Sequence, residues 1–132
     1  MLPSQSLNSL TLSGVYEIDM GTPIKNIFND IGGGFKEAVK ALQIGGPLGG
    51  VVPLTEAEKL NLDFQEFTEA GFTLGHAGIV SIPKDFPMVE YIHHLFEFSA
   101  EESCGKCFPG RLGSYRGKEM FDQFKNKSAK IP

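Results

Sequence analysis

The chain has 132 residues, 41% hydrophobic and 21% charged, and its 12 basic and 16 acidic side chains leave a formal net charge of −4. That composition is globular rather than disordered, and the length suits one ordinary domain or two small lobes. The acidic balance without a basic stripe argues against a nucleic-acid surface, no apolar run approaches the ~20 residues of a membrane span, and the opening MLPSQSLNSL has neither region of a signal peptide.

Residues 1–13 are polar and turn-like. Leu10-Thr11-Leu12, the turn Ser13-Gly14 and the alternating run Val15-Tyr16-Glu17-Ile18-Asp19 predict an opening hairpin of two short strands. After Met20-Gly21, Thr22 suits an N-cap and Pro23 the first helical position. Ile24, Ile27, Phe28 and Ile31 then fall on one helical face, which predicts a helix over about 23–31 that Gly32-Gly33-Gly34 stops. Val39 to Ile44 reads as a strand and Val51-Val52-Pro53 as extended chain. Between them, Gly45-Gly46-Pro47-Leu48-Gly49-Gly50 reads as a tight crossing between strands. A phosphate cradle would need a following helix and a Lys-Ser/Thr pair, and neither is present.

Thr55-x-x-Glu58 forms one candidate capping box, and Asp63 with Glu66 a weaker one opening a short helix that Gly71 ends. Phe72 to Gly78 is a loop around His76, and Ile79-Val80-Ser81-Ile82 a buried strand. Met88, Val89, Ile92, Leu95 and Phe96 predict an amphipathic helix over about 87–99, the clearest in the chain. It leads into Glu101-Glu102-Ser103-Cys104-Gly105-Lys106-Cys107-Phe108-Pro109-Gly110-Arg111, which holds both cysteines. Gly110, Gly113 and Gly117 each cost about 1 kcal/mol in a helix interior. A helix after the loop is therefore expected to start late, near Gly117, with Met120, Phe121 and Phe124 inward. Lys125 to Pro132 reads as a frayed basic tail.

Cys104 and Cys107 are the candidate metal ligands, because a glycine- and proline-bent C-x-x-C loop can aim two sulfurs at one point. Cys₂His₂ zinc with two of His76, His93 and His94 is less favoured, because adjacent helical histidines point about 100° apart. The histidines then read as solvated residues. A thioredoxin-like redox pair has the spacing, with Lys106 to depress a thiol pKa, but lacks the preceding strand. Glu101-Glu102 reads as a solvated loop entrance. No catalytic constellation and no G-x-G-x-x-G dinucleotide motif is present.

The loop Glu-Glu-Ser-Cys-Gly-Lys-Cys-x-Pro closely resembles the iron–sulfur loop of the NADH-binding flavoprotein subunit of respiratory complex I and of related hydrogenase and formate dehydrogenase subunits. Gly14-Val15-Tyr16-Glu17, Gly21-Thr22-Pro23, Ile31-Gly32-Gly33-Gly34 and Gln43-Ile44-Gly45-Gly46-Pro47-x-Gly49-Gly50 look like the SLBB (soluble-ligand-binding β-grasp) domain of the same subunit. The resemblance covers roughly residues 10–125, in the family's order. It implies an α+β protein with a small β-grasp lobe over 1–55, followed by a helical lobe over 56–132 carrying the cysteine loop.

In the resembled family three cysteines of this loop and a fourth downstream hold a 4Fe–4S cluster. Here the third position is Gly110 and no cysteine follows Cys107. A 4Fe–4S cluster is therefore expected only if further ligands come from another chain, such as a homodimer partner. NADH and FMN belong upstream of this region in the family, so neither is expected here, nor is the chain expected to be an enzyme by itself. The resemblance implies a cytoplasmic docking or scaffold element of an NADH-linked electron-transfer complex, without direct membrane insertion. The alternative is a stand-alone SLBB module for a small ligand or a protein, with vestigial cysteines.

Overall fold

The computed structural model describes residues 9–126; residues 1–8 and most of the expected basic tail, from 127 on, lie outside them. The architecture is mixed α+β. A three-stranded antiparallel sheet has the order β2-β1-β3, from β1 (Val39–Ile44), β2 (Gly50–Pro53) and β3 (Ile79–Pro83). β1, paired on both edges, is the most buried strand, and its last four residues are all buried. Leu42 faces Val52 on one side and Ser81 on the other. β2 ends at Pro53, whose missing N–H is tolerated on an edge strand.

Against the sheet packs a core of Ile24, Ile27, Phe28, Leu42, Ile44, Val52, Ala57, Leu60, Leu62, Phe67 and Leu74. Each large apolar side chain there contributes about 1.5–3 kcal/mol by leaving water. Ile24, Ile27 and Phe28 come from α1 (Ile24–Asn26) and the wider π-turn that continues it over Ile27–Ile31, so the expected apolar face does turn inward. Pro23, not Thr22, occupies the cap position; the Thr22 hydroxyl instead donates to the Asp19 carbonyl at 2.7 Å. α2 (Leu54–Ala57) likewise begins ahead of Thr55, without a side-chain cap. α3 (Phe64–Glu69) is capped as expected: Asp63 Oδ1 accepts from the N–H groups of Gln65 and Glu66 at 2.9 and 3.0 Å. Glu66 reaches back to the Asn61 N–H rather than to that of Asp63.

The predicted opening hairpin does not form. Over residues 9–19 the only pairing is the isolated bridge Leu10–Phe35, and Leu12, Val15 and Tyr16 are exposed. The segment is fixed by other means. The Ser9 N–H donates to Ser81 Oγ at 2.7 Å, its hydroxyl donates to Glu37 at 2.8 Å, and the Thr11 and Leu12 N–H groups donate to Gly34 and Gly32 carbonyls.

The chain divides into two compact units between Lys84 and Asp85. That is later than residue 55, because β3 pairs with β1 and because Phe67 and Leu74 enter the core built on the sheet. The second unit is a helical pair, α4 (Met88–Glu102) and, after a π-turn over Pro109–Gly113, α5 (Ser114–Lys125). α5 thus starts ahead of Gly117. Gly117 is where the Phe96 ring of α4 lies against α5, stacked on Phe121 with centroids 5.5 Å apart. Met120 and Phe124 face solvent, contrary to the inward expectation; Phe121 alone of the three makes the ring contact. Glu97 and Lys118 pair across the helices at 3.4 Å.

Tyr91, at i+3 from Met88, completes the apolar stripe of α4 and is its one fully buried residue, edge-on to Phe86. Burial pushes its phenol up from 10.0 to about 12. The folded state therefore holds this proton more tightly than the unfolded chain. Stability is unaffected below pH 10 and falls as pH rises from 10 towards 12, by about 2 kcal/mol. Tyr91→Phe has no such proton to lose. In denaturation from pH 9 to 12, wild type is expected to lose that much relative to the variant; parallel curves would refute it.

Candidate functional site

The cysteine loop runs from the end of α4 to the π-turn. Ser103 leaves helical geometry as the α4 cap, with ψ 127°, and turns the chain outward. Its hydroxyl accepts the Gly105 N–H at 3.2 Å. Gly105 has φ +72°, a conformation that strains any residue with a β-carbon, so the glycine between the two cysteines is required by the turn. The chain re-enters a helix at once: the Arg111 N–H donates to the Cys107 carbonyl at 2.9 Å. Cys104 and Cys107 are both free thiols and both exposed. Lys106 and Arg111 are exposed beside them, and Glu101 and Glu102 at the end of α4 are exposed as well.

Gly110 lies within the first turn after Cys107. A β-carbon there would lie 3.1 Å from Cys107 Sγ and 3.2 Å from Ser103 Oγ. A side chain at position 110 would therefore crowd the Cys107 sulfur and the Ser103 hydroxyl, and the glycine leaves that space free. Among the described residues no group of three or more His, Cys, Asp or Glu side chains is placed to hold a metal ion. The sequence contains two cysteines in all. A four-thiolate cluster therefore does not fit this chain by itself.

His76 belongs to the sheet-bearing unit, where its Nδ1 accepts the Gly78 N–H at 3.2 Å. His93 is turned towards α5, with its side chain 12% exposed and Nε2 2.7 Å from Asp122 Oδ1. The imidazole and the carboxylate therefore meet across the two helices. The solvated reading of His93 is corrected accordingly. Sequence reasoning also passed over Ser103, although a hydroxyl two residues before a glycine is the signal of such a turn.

A second concave feature belongs to the sheet-bearing unit. It is a cleft of about 420 Å³ lined largely by Leu10, Leu12, Ile18, Ile27, Phe28 and Ile79, with His76 and Ala77 at its edge. Ala77 has φ +59°. Nothing in the sequence marked this cleft, because its walls come from three separated segments.

Residues 90–131 match the iron–sulfur binding region of NADH-ubiquinone oxidoreductase F. The NADP-reducing hydrogenase subunit HndC of Solidesulfovibrio fructosivorans is 34% identical over 112 residues, 83% of this chain and 23% of its own length. The F component of the NADH-quinone oxidoreductase of Escherichia coli (strain K12) is 38% identical over 103 residues, 76% of this chain and 23% of its own length. The crystal structure of an NAD+-reducing nickel–iron hydrogenase in the air-oxidized state superposes with a TM-score of 0.77 at 23% identity, over 92% of this chain and 21% of that one. At that identity the likeness establishes the fold. The chain spans about a quarter of the length of these curated relatives. Residues 90–131, which carry the cysteine loop and α5, are thus similar to the iron–sulfur binding region of NADH-ubiquinone oxidoreductase F, and most of the chain is similar to a segment of NADH-quinone oxidoreductase F subunits and of an NADP-reducing hydrogenase subunit.

Proposed function

We propose that this chain is a docking and scaffold module of an NADH-linked electron-transfer assembly. In this reading Cys104 and Cys107 ligate one edge of a 4Fe–4S cluster whose other ligands come from another chain. The observation that carries it is the exposed pair of thiols on a glycine-turned loop, inside the segment that matches an iron–sulfur binding region. Exposure suits a ligand set that is completed from outside. The sheet-bearing unit is read as an SLBB-type β-grasp lobe and the helical unit as the carrier of the cluster edge. The reading assigns no NADH, FMN or zinc site and no catalytic residue to the chain by itself, and places it in the cytoplasm. No helix among the described residues is long and apolar enough to cross a membrane. The test is affinity purification of the tagged chain at native expression. Redox subunits of an NADH-linked complex are expected to co-purify, and their absence would count decisively against this role.

A second reading draws on the apolar cleft beside His76. Its volume suits a small, largely apolar ligand, and the chain would then be a binding module with vestigial cysteines. A metabolite that raises the melting temperature of the wild type, and not of a variant with Ile79→Lys in the cleft wall, would favour it.

A further inference from the structure

We infer that Cys104 and Cys107 form a reversible disulfide with each other, and that Gly110 keeps open the path by which a small disulfide reaches the Cys107 sulfur. The inference goes beyond the docking reading and does not need it. Both thiols are free and exposed. Among the described residues no third metal-ligating side chain is grouped with them. The chain bends between them at Gly105, with φ +72°, and again at Cys107. A turn of four residues holds its ends within about 7 Å, and a disulfide joins Cα atoms about 4.4–6.8 Å apart. The loop therefore suits a bond between its two sulfurs.

Cys107 is the better anchored of the pair. Its carbonyl accepts the Arg111 N–H at 2.9 Å, at the start of the helical run 108–125. Its Sγ would lie 3.1 Å from a β-carbon at residue 110, and Ser103 Oγ 3.2 Å from the same point. Glycine leaves that point empty. Thiol–disulfide exchange depends on access to the sulfur, and the vacant position beside Cys107 supplies it. In the first step Cys107 attacks one sulfur of a small disulfide RSSR, forming Cys107–S–S–R and releasing RSH. Cys104 then attacks the Cys107 sulfur, forming the Cys104–Cys107 bond and releasing the second RSH. The pair gives up two electrons and two protons, and RSSR takes them up as two RSH. Exposed disulfides are the labile, regulatory kind, so RSH reverses the reaction. The oxidised loop has no thiol left for a metal, and the state of the pair sets whether the loop can bind one.

The test uses the full chain, reduced, stripped of metal with a chelator and incubated with glutathione disulfide. Intact mass and alkylation of the remaining thiols are followed in time. The expected product is a monomer lighter by two hydrogens, with the mixed disulfide only transient, and reduced glutathione is expected to restore the thiols. Cys104→Ser is expected to stop with one glutathione on Cys107, and Cys107→Ser with one on Cys104. Added to Cys104→Ser, Gly110→Val is expected to slow the reaction of Cys107 at least about tenfold, the rate equivalent of forcing bulk into a close contact. Added to Cys107→Ser, it is expected to leave Cys104 unchanged, which separates blocked access from a loosened loop. Gly110→Ala, the smaller change, is expected to act in the same direction. A wild type that keeps glutathione on its cysteines, or that links into disulfide-bonded dimers, would overturn the disulfide. An equal rate at Cys107 with and without Gly110→Val, or a faster rate at both cysteines, would overturn the path. These masses are read on the chain alone, so they stand or fall separately from the co-purification that tests the docking role.

Discussion

Gly117→Val is expected to destabilise the helical unit by about 3 kcal/mol, the upper range for forcing bulk into a packed contact. A β-carbon at residue 117 would overlap three atoms of the Phe96 ring. That ring has little room to retreat, because its other surroundings include the stacked Phe121 ring, tilted by 26°. The substitution improves intrinsic helix propensity, by a few tenths of a kcal/mol for a β-branched residue, so the loss reports packing and not helix formation. Gly113 supplies the comparison. It has an ordinary helical φ of −65°, and a β-carbon there would meet nothing within 4 Å. Gly113→Ala is therefore expected to stabilise by about 0.5–1 kcal/mol. Urea titrations followed by circular dichroism would read both. A Gly117→Val protein as stable as wild type would show that α4 and α5 do not meet as closely as Phe96 requires.

Gly45→Ala should cost more than about 3 kcal/mol, combining left-handed strain with a backbone collision. Gly45 has φ +94°, and its β-carbon would lie 2.9 Å from the Leu74 carbonyl oxygen. The collision is reciprocal: a β-carbon on Gly75 would lie 2.8 Å from Gly45 Cα. Two backbones cross here, and neither can move without loosening the bond from the Gly45 N–H to the Gly78 carbonyl at 2.9 Å. That bond holds the loop carrying His76 at the edge of the apolar cleft. Gly21 separates the two costs, since it has φ +88° but open space around its β-carbon position. Gly21→Ala is expected to lose only about 1–2 kcal/mol of strain. Equal losses at Gly21 and Gly45 would mean that the crossing contributes nothing. The crossing also bears on function, because it fits the tight structural crossing expected of this glycine run.

What could be read ahead of the structure was whatever depends on neighbours in the chain. The stripe of Met88, Ile92, Leu95 and Phe96 announced α4 because side chains three and four apart share a face whatever lies opposite. Asp63 announced the start of α3 because its carboxylate reaches N–H groups only two and three residues on. The run Val15–Asp19 alternates as a strand does, yet alternation cannot supply a partner, and the chain there is fixed by Ser81, Glu37 and Gly34 instead. Gly117 was weighed by its helix propensity alone, and packing against Phe96 overrode that cost.

The candidate site divides in the same way. The sequence alone determined the two cysteines, their spacing, the glycine that bends the chain between them and the absence of a third thiol at position 110, since these are facts of local covalent order. Only the tertiary structure decided that both thiols are exposed, that a β-carbon at position 110 would crowd the Cys107 sulfur, that His93 is engaged by Asp122, and that Phe108, Leu112 and Tyr115 are left uncovered beside the loop. Each of these depends on which distant residue or solvent meets a side chain once α4 and α5 pack, and local order along the chain does not determine that.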